Sequence, residues 1–422
     1  MDNNLQRTRL ADGIHFNSFT DDRYKVNRVS VAFMTKQSND TAAAYALLAN
    51  ILTKKNATFP NEKDFHNYEA SLYASEIHGE AGCLGDVSLL DFSVSSISDK
   101  FALEGEPISE QAAGLLLDCI LRPAFQNGVF TDIETEKQNQ IRIIEAELND
   151  KQEYAHNKGI ELLCPNEPFS VNTNGTIDTV NALTPSTLLS AYKELLSHAR
   201  IEIICVGRDS FSHLLPIFQK EFDSLTRGDI DPCVTTASPI AQTVNEVTDI
   251  MSVVQGKMVI GLKTDYKNKA ATSLMNKIYG GMVTSKLFLN VREKLSLCYY
   301  CWSRYNRYKD TFTVDCGVEK ENIGKARAEI LKQLDDMRSG DFADTDIEVA
   351  LMALRNDTNT VNDSAATLAA WYTDRIYRGD VIAPAEALAE YEAVTREQIV
   401  EAANAVKLSA VYVLSGEEGE KE

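Results

Sequence analysis

The sequence has few of the features that would set it apart from ordinary globular proteins. Its 10 prolines and 21 glycines among 422 residues are too few for a collagen-like or low-complexity chain. With 44% apolar and 25% charged residues, it can bury enough surface to offset the entropy of chain ordering, which excludes intrinsic disorder. The longest apolar stretches, 41–52 and 409–415, fall well short of the roughly 20 residues that cross a bilayer. The first residues, MDNNLQRTRLADG, have no apolar signal-peptide core. The chain is therefore expected to be cytoplasmic, with no membrane partner. An excess of positive charge is missing too: 62 acidic against 42 basic side chains leave a net charge of −20, which repels phosphate backbones. No nucleic-acid partner is expected, whereas basic peptides would be attracted.

Histidine is scarce and scattered. The six histidines stand at 15, 66, 78, 156, 198 and 213, no two closer than 12 residues, so no helix can present an imidazole pair one turn apart. His66-Asn-Tyr-Glu69 continues with Ala70, leaving one imidazole and one carboxylate, too few for a catalytic zinc. His78 reads as a turn residue. The eight cysteines, at 83, 119, 164, 205, 233, 298, 301 and 316, do not form the dense framework of a secreted scaffold and are expected to be reduced. Cys298-Tyr-Tyr-Cys301 alone has a metal or redox spacing. It lies in an apolar, aromatic, strand-like run with no second CxxC or histidine to complete a zinc site, so it reads as structural. Phosphate loops of the GxxxxGK[ST] type, GxGxxG turns and GxSxG elbows are absent. Gly280-Gly281 reads as a helix connection, and the acidic end from Gly416 to Glu422 as a solvated tail.

What the chain does have is length for at least two folded units and a faint internal repeat. Asn181-Ala-Leu-Thr184 is echoed by Glu392-Ala-Val-Thr395. Each is followed by an amphipathic helix and then by a β-rich run ending in glycine, IEIICVG to Gly207 and AVYVLSG to Gly416. Thr184-Pro185 supplies an N-cap and a first-turn proline; Thr395-Arg-Glu-Gln398 has capping-box spacing. Between the halves, 226–247 is polar, holds Pro232 and Pro239, and shows no apolar period, as a linker does. The expected division is a domain at 1–225, a linker at 226–247 and a homologous domain at 248–422. Strand patterns lie near 26–35, 87–97, 250–263, 297–304 and 310–317. Helical patterns lie at 41–54, 108–121, 131–160, 264–279, 321–338 and 343–377. The fold class is α+β: two homologous lobes, each a sheet flanked by helices, related by internal duplication.

From Gly280 to Tyr300, GGMVTSKLFLNVREKLSLCYY, the chain resembles the second homologous domain of insulinase/pitrilysin-type zinc peptidases, the family of the mitochondrial processing peptidase subunits. The carrying features are the glycine turn, Ser-x-Leu-Phe, Arg-Glu-Lys and a tyrosine seven residues after the arginine, here Arg292 and Tyr299. The resemblance extends in outline over nearly the whole chain and implies one half of a clamshell. Catalytic members bear an inverted zinc motif, His-x-x-Glu-His, on the first long helix. There the two imidazoles bind zinc and the carboxylate takes a proton from the bound water. Aligned on that helix, the ligand positions here are Ala46 and Asn50, and the general-base position is Ala49. A third ligand counted from Glu136 falls at Ile143, with Glu145 and Glu147 two and four residues beyond. The resemblance therefore implies a degenerate site with no zinc cofactor, and Arg292 and Tyr299 as substrate-binding donors for a peptide carbonyl. Substrate would add as a strand to a sheet edge of the first domain, expected around Tyr73-Ala74-Ser75.

The function expected is that of a non-catalytic pseudopeptidase subunit contributing chamber and peptide contacts to a catalytic homologue in a heterodimer. The alternatives are a homodimeric peptide-binding or scaffold protein, and a metalloendopeptidase with unusual ligands drawn from His66, His78 and the 145–147 region.

Overall fold

The computed structural model describes residues 5–416; residues 417–422 of the acidic tail lie outside them. The first stretch of chain forms β1 (Gln6–Ala11), β2 (Ile14–Thr20), β3 (Val26–Lys36), α1 (Ala42–Ile51), α2 (Glu62–Ser71), β4 (Ile77–Leu84), β5 (Val87–Ile97) and α3 (Ile108–Leu121). A short hairpin, β6 (Phe125–Gln126) and β7 (Val129–Phe130), leads to α4 (Ile133–Asn149), α5 (Lys151–Leu163), α6 (Ile177–Ala182), α7 (Pro185–His198), β8 (Arg200–Gly207) and α8 (Leu215–Asp223). The second stretch forms β9 (Asn245–Ile250), β10 (Gly256–Lys263), α9 (Lys269–Tyr279), a π-helix (Leu287–Lys294), β11 (Cys298–Asn306) and β12 (Thr311–Val318). It ends with α10 (Ile323–Ser339), α11 (Asp344–Thr360), α12 (Ala365–Arg378), α13 (Pro384–Glu392), α14 (Arg396–Ala405) and β13 (Lys407–Ser415). No described helix is long and apolar enough to cross a membrane.

The two sheets repeat one topology. The first runs β1-β2-β8-β3-β5-β4 and the second, read from its far edge, β9-β13-β10-β12-β11. In each, a single parallel pair occupies the same place, β2 with β8 and β9 with β13, and the neighbouring pairs are antiparallel. The strand closing each half is preceded by a helix started by its own side chains. Thr184 and Thr187 form a reciprocal cap on α7, and Thr395 and Gln398 one on α14. These caps are the echo visible in the sequence.

The chain divides into two compact units that do not follow the linear partition at 1–225, 226–247 and 248–422. The first takes residues up to Ile144, Val171–Val234 and Thr360–Ala383; the second takes Glu145–Ser170, Thr235–Asn359 and residues from Pro384 on. One junction falls inside the expected linker, and the others follow from two helices. In the second unit, Ala155 on α5 packs with Val259, Tyr412 and Leu414, and a Cβ on Gly159 would lie only 2.5 Å from Val259 Cγ1. In the first, Leu368, Ala369, Tyr372 and Ile376 on α12 pack with Ile204 and Val206. Each half of the sequence thus supplies a helix for the face of the other half's sheet opposite its main core. The long helical patterns 131–160 and 343–377 are broken where this happens. Asp150 accepts hydrogen bonds from the amides of Gln152 (2.9 Å) and Glu153 (3.2 Å) to begin α5, and Ser364 accepts from Thr367 (3.1 Å) to begin α12.

Candidate functional site

In the first unit, the helix aligned with the zinc motif is a piece of core. Every residue of α1 is buried except Asn50. Leu47 and Leu48 are fully buried, each contributing roughly 1.5–3 kcal/mol. Ala46 and Ala49 are each 3% exposed. Asn50 turns its amide back onto the carbonyl of Ala46 at 3.0 Å. Edge strand β4 approaches so closely that a Cβ on Gly79 would fall 2.2 Å from the Ala49 carbonyl oxygen, which fixes glycine there. Helix α4 is tied to this helix at both ends. Gln140 donates to the Ala43 carbonyl at 3.1 Å, and Lys54, just beyond α1, pairs with the buried Glu136 at 2.5 Å. Ile143, one turn past Gln140, is 45% exposed and offers only methyl groups. Alanine methyls, a carboxamide bonded to its own helix and an isoleucine do not form a zinc donor set, so the positions do not fit the metal of the catalytic members.

The other candidate ligands are engaged in structural roles or lie apart. His66 Nδ1 lies 2.7 Å from a carboxylate oxygen of Glu69, whose other oxygen accepts the Ile77 amide at 2.8 Å and ties α2 to β4. His78 is not in a turn but on β4, paired with Ser93, because the strand begins one residue earlier. Tyr73-Ala74-Ser75 is not the sheet edge: Tyr73 and Ala74 take left-handed φ of 56° and 59° and turn the chain into β4, which is the edge strand. Among the described residues, no set of three metal-ligating groups that includes a histidine, aspartate or glutamate comes within ligand distance.

In the second unit, Arg292 and Tyr299 come together. Arg292 lies on the π-helix, an irregular winding that sequence periodicity did not suggest and that is frequent at functional sites. Its guanidinium sits 4.6 Å from the Phe288 ring centroid and 3.3 Å from Glu293, and its side chain is 40% exposed. Tyr299 is 59% exposed, and its hydroxyl donates to Glu319 at 2.6 Å. That hydrogen bond, reinforced by the carboxylate charge, raises the phenol's pKa above the usual tyrosine range and keeps it protonated. Both residues line a cleft of about 560 Å³ whose wall includes the stacked Tyr300 and Trp302, 4.6 Å apart, and an adjoining cleft of about 420 Å³. Gly280, at the end of α9, forms the helix connection expected of it: its carbonyl accepts the Ser303 amide at 2.9 Å.

Beside Tyr299, the sulfurs of Cys298, Cys301 and Cys316 lie within 4.8 Å of one another. Hydrogen bonds from Cys301 and Cys316, with help from the Arg292 charge and against the effect of burial, hold the Cys298 thiol well below the usual thiol range. The same bonds, together with burial, push the other two up. Sequence reading found the CxxC pair but missed Cys316. Its signal was the pairing of the strand patterns 297–304 and 310–317, because in a tight hairpin residue 301 falls opposite 316.

Residues 182–354 match the family model described as the peptidase M16 inactive domain. The Bacillus subtilis (strain 168) protein named "Probable inactive metalloprotease YmfF" is 28% identical over 405 residues, covering 94% of each chain. A conserved protein from Enterococcus faecalis V583 shares this fold with a TM-score of 0.92 at 25% identity, over 99% of this chain and 100% of that one. The structure of the peptidase M16 inactive domain from Pseudomonas fluorescens does so with a TM-score of 0.79 at 14% identity, over 99% and 100%. Taken with a first-unit helix that bears no histidine, aspartate or glutamate, these likenesses make the chain similar to inactive proteins of the insulinase/pitrilysin-type (M16) peptidase family.

Proposed function

We propose that this chain is the non-catalytic subunit of a two-chain peptidase, holding peptide for a homologue that carries an intact His-x-x-Glu-His helix. The observation that carries the reading is the contrast within the chain. The metal helix is filled with methyl groups, whereas Arg292 and Tyr299 stay exposed at an aromatic-walled cleft. A guanidinium stacked on a phenyl ring is held in place yet keeps donors free for a peptide carbonyl. Tyr299 would contribute its phenol by giving up Glu319, which meanwhile fixes the ring's position. Strand β11 is an edge of its sheet and β4 an edge of the other, so an extended peptide can add to either by backbone hydrogen bonds. The net charge of −20 favours basic peptides. All eight cysteines are free thiols, which supports a reducing, cytoplasmic location.

The test is a fluorogenic-peptide assay on the chain alone, on the motif-bearing homologue from the same cell, and on the mixture. The reading requires no hydrolysis by this chain, co-elution with the homologue, and a rate in the mixture well above that of the homologue alone. A homologue that is fully active alone and never co-elutes would overturn it. Self-association with peptide binding in that case would support a homodimeric scaffold.

A further inference from the structure

Nothing in the peptidase reading uses the three clustered thiols of the second unit, and one backbone irregularity brings them together. On a regular strand, residues three apart point to opposite faces, so Cys298 and Cys301 should not meet. The β11–β12 register shifts between them: Cys298 opposes Val318, Tyr300 opposes Gly317, and Tyr299 is the extra residue of a bulge. The bulge turns both cysteines toward the same apolar core, where Cys316 stands directly opposite Cys301. Gly317 is required beside it, since a Cβ there would lie 2.3 Å from Cε1 of Tyr300. The bulge thus also sets Tyr299 outward at the cleft while gathering sulfur beneath it.

Three convergent sulfurs suit a metal better than a disulfide. A disulfide needs two sulfurs about 2.05 Å apart and would leave the third thiol unused. A cation with metal–sulfur bonds of about 2.3 Å holds its sulfurs roughly 3.8–4.0 Å apart, in tetrahedral or trigonal geometry. The observed cluster, within 4.8 Å, reaches that spacing by closing less than about 1 Å. The donor set is sulfur alone, which selects soft cations over Mg²⁺, Ca²⁺ or Mn²⁺. Cys298 lines the smaller cleft and Cys301 the larger, so the cluster lies at the base of both.

We propose that Cys298, Cys301 and Cys316 bind one thiophilic cation, Zn²⁺ or Cu⁺, at a structural site that fixes edge strand β11. Binding forms three metal–sulfur bonds and releases to solvent whatever protons the thiols carry. The site is distinct from the degenerate positions on α1 and supplies no catalytic metal.

The experiment uses the reduced, metal-stripped, tag-free full chain, titrated with Zn²⁺ in one arm and Cu⁺ in the other, each against a chromophoric chelator. X-ray absorption then gives the ligand atoms. One equivalent of either cation in a sulfur shell, with at least tenfold weaker binding in both Cys298→Ser and Cys316→Ala and no change in Cys83→Ser, supports the site; the arm that binds names the cation. A metal-induced rise in the thermal midpoint of the wild type gives the same answer if a core variant fails to fold. The proposal is overturned if neither cation binds at one equivalent, if the ligands are not sulfur, if binding survives both substitutions, or if air yields a Cys298–Cys301 disulfide in a protein that takes up no metal after reduction.

Discussion

The two units are built on one topology, and their corresponding elements carry different chemistry. Helix α1 follows the central strand β3 as α9 follows β10, and edge strand β4 corresponds to β11. A glycine closes both helix–edge contacts, Gly79 against the Ala49 carbonyl and Gly280 against Ser303. In the first unit the helix is buried except at Asn50, and the edge strand is pressed against it. In the second, Asn276 on α9 accepts the Ser303 hydroxyl at 2.6 Å, and the edge strand carries an exposed tyrosine and two of three clustered cysteines. A buried site can lose its chemistry only by being repacked, because polar groups left unpartnered there destabilise the fold. Exposed groups such as Arg292 and Tyr299 carry no such penalty and can persist for binding.

The largest effect should come from rewriting the repacked helix. Ala46→His, Ala49→Glu and Asn50→His together force two large side chains and a carboxylate into filled space, and we expect a loss of about 4 kcal/mol or more with no zinc-dependent hydrolysis. Urea unfolding with a peptide assay reads both; a folded, active triple variant would erase the contrast between the units.

The parallel strand pairs offer a second comparison. Fully buried Glu202 on β8 accepts two bonds from Arg7, at 2.6 and 2.8 Å, and one from Asn17 at 2.9 Å. The matching pair β9–β13 instead joins Tyr412 to Asp249 at 2.8 Å. Arg7→Ala should cost about 2–3 kcal/mol, less than complete loss of a buried pair because Arg200 remains at 2.9 Å. Burial opposes ionisation of Glu202, but Arg7 and Asn17 prevail and hold its pKa below the usual glutamate range. The unfolded chain then takes up this proton at higher pH than the folded one. The stabilisation is complete above about pH 5 and is lost as pH falls through the ordinary glutamate value of about 4.3 to the lower folded one. In denaturation series across that range, Glu202→Gln should flatten the acid limb; an unchanged limb would remove Glu202 from the account.

Gly79→Ala places a methyl against backbone that cannot move aside, and about 2 kcal/mol should be lost, seen as a lower thermal midpoint. If the midpoint holds, β4 is free to shift and the tight α1–β4 seam is not a constraint.

Arg292→Ala and Tyr299→Phe should leave stability within about 0.5 kcal/mol, as exposed positions do, while cutting stimulation of a catalytic partner tenfold or more. Variants that stimulate normally would mean that the cleft binds no peptide.

Much of this was legible beforehand. Helix 108–121 and strand 87–97 coincide with α3 and β5, since each carries a full apolar period and stop signals at its ends. The absence of a zinc motif followed from counting histidines. The breaks at Asp150 and Ser364 were hidden, because a polar cap inside a long amphipathic pattern costs that pattern little. Cys316 was hidden because its meaning depends on strand register and on a bulge at Tyr299.

Local chemistry in the sequence thus decided the elements, the duplicated cap-helix-strand units and the absence of a His-x-x-Glu-His motif. These depend on periodicity, capping and residue identity, which are properties of neighbours in the chain. Tertiary structure alone decided which sheet α5 and α12 cover, that Arg292 and Tyr299 share a cleft, and that three thiols converge. Each of those outcomes rests on apolar faces and strand registers matched between residues far apart in sequence, and no local pattern encodes that matching.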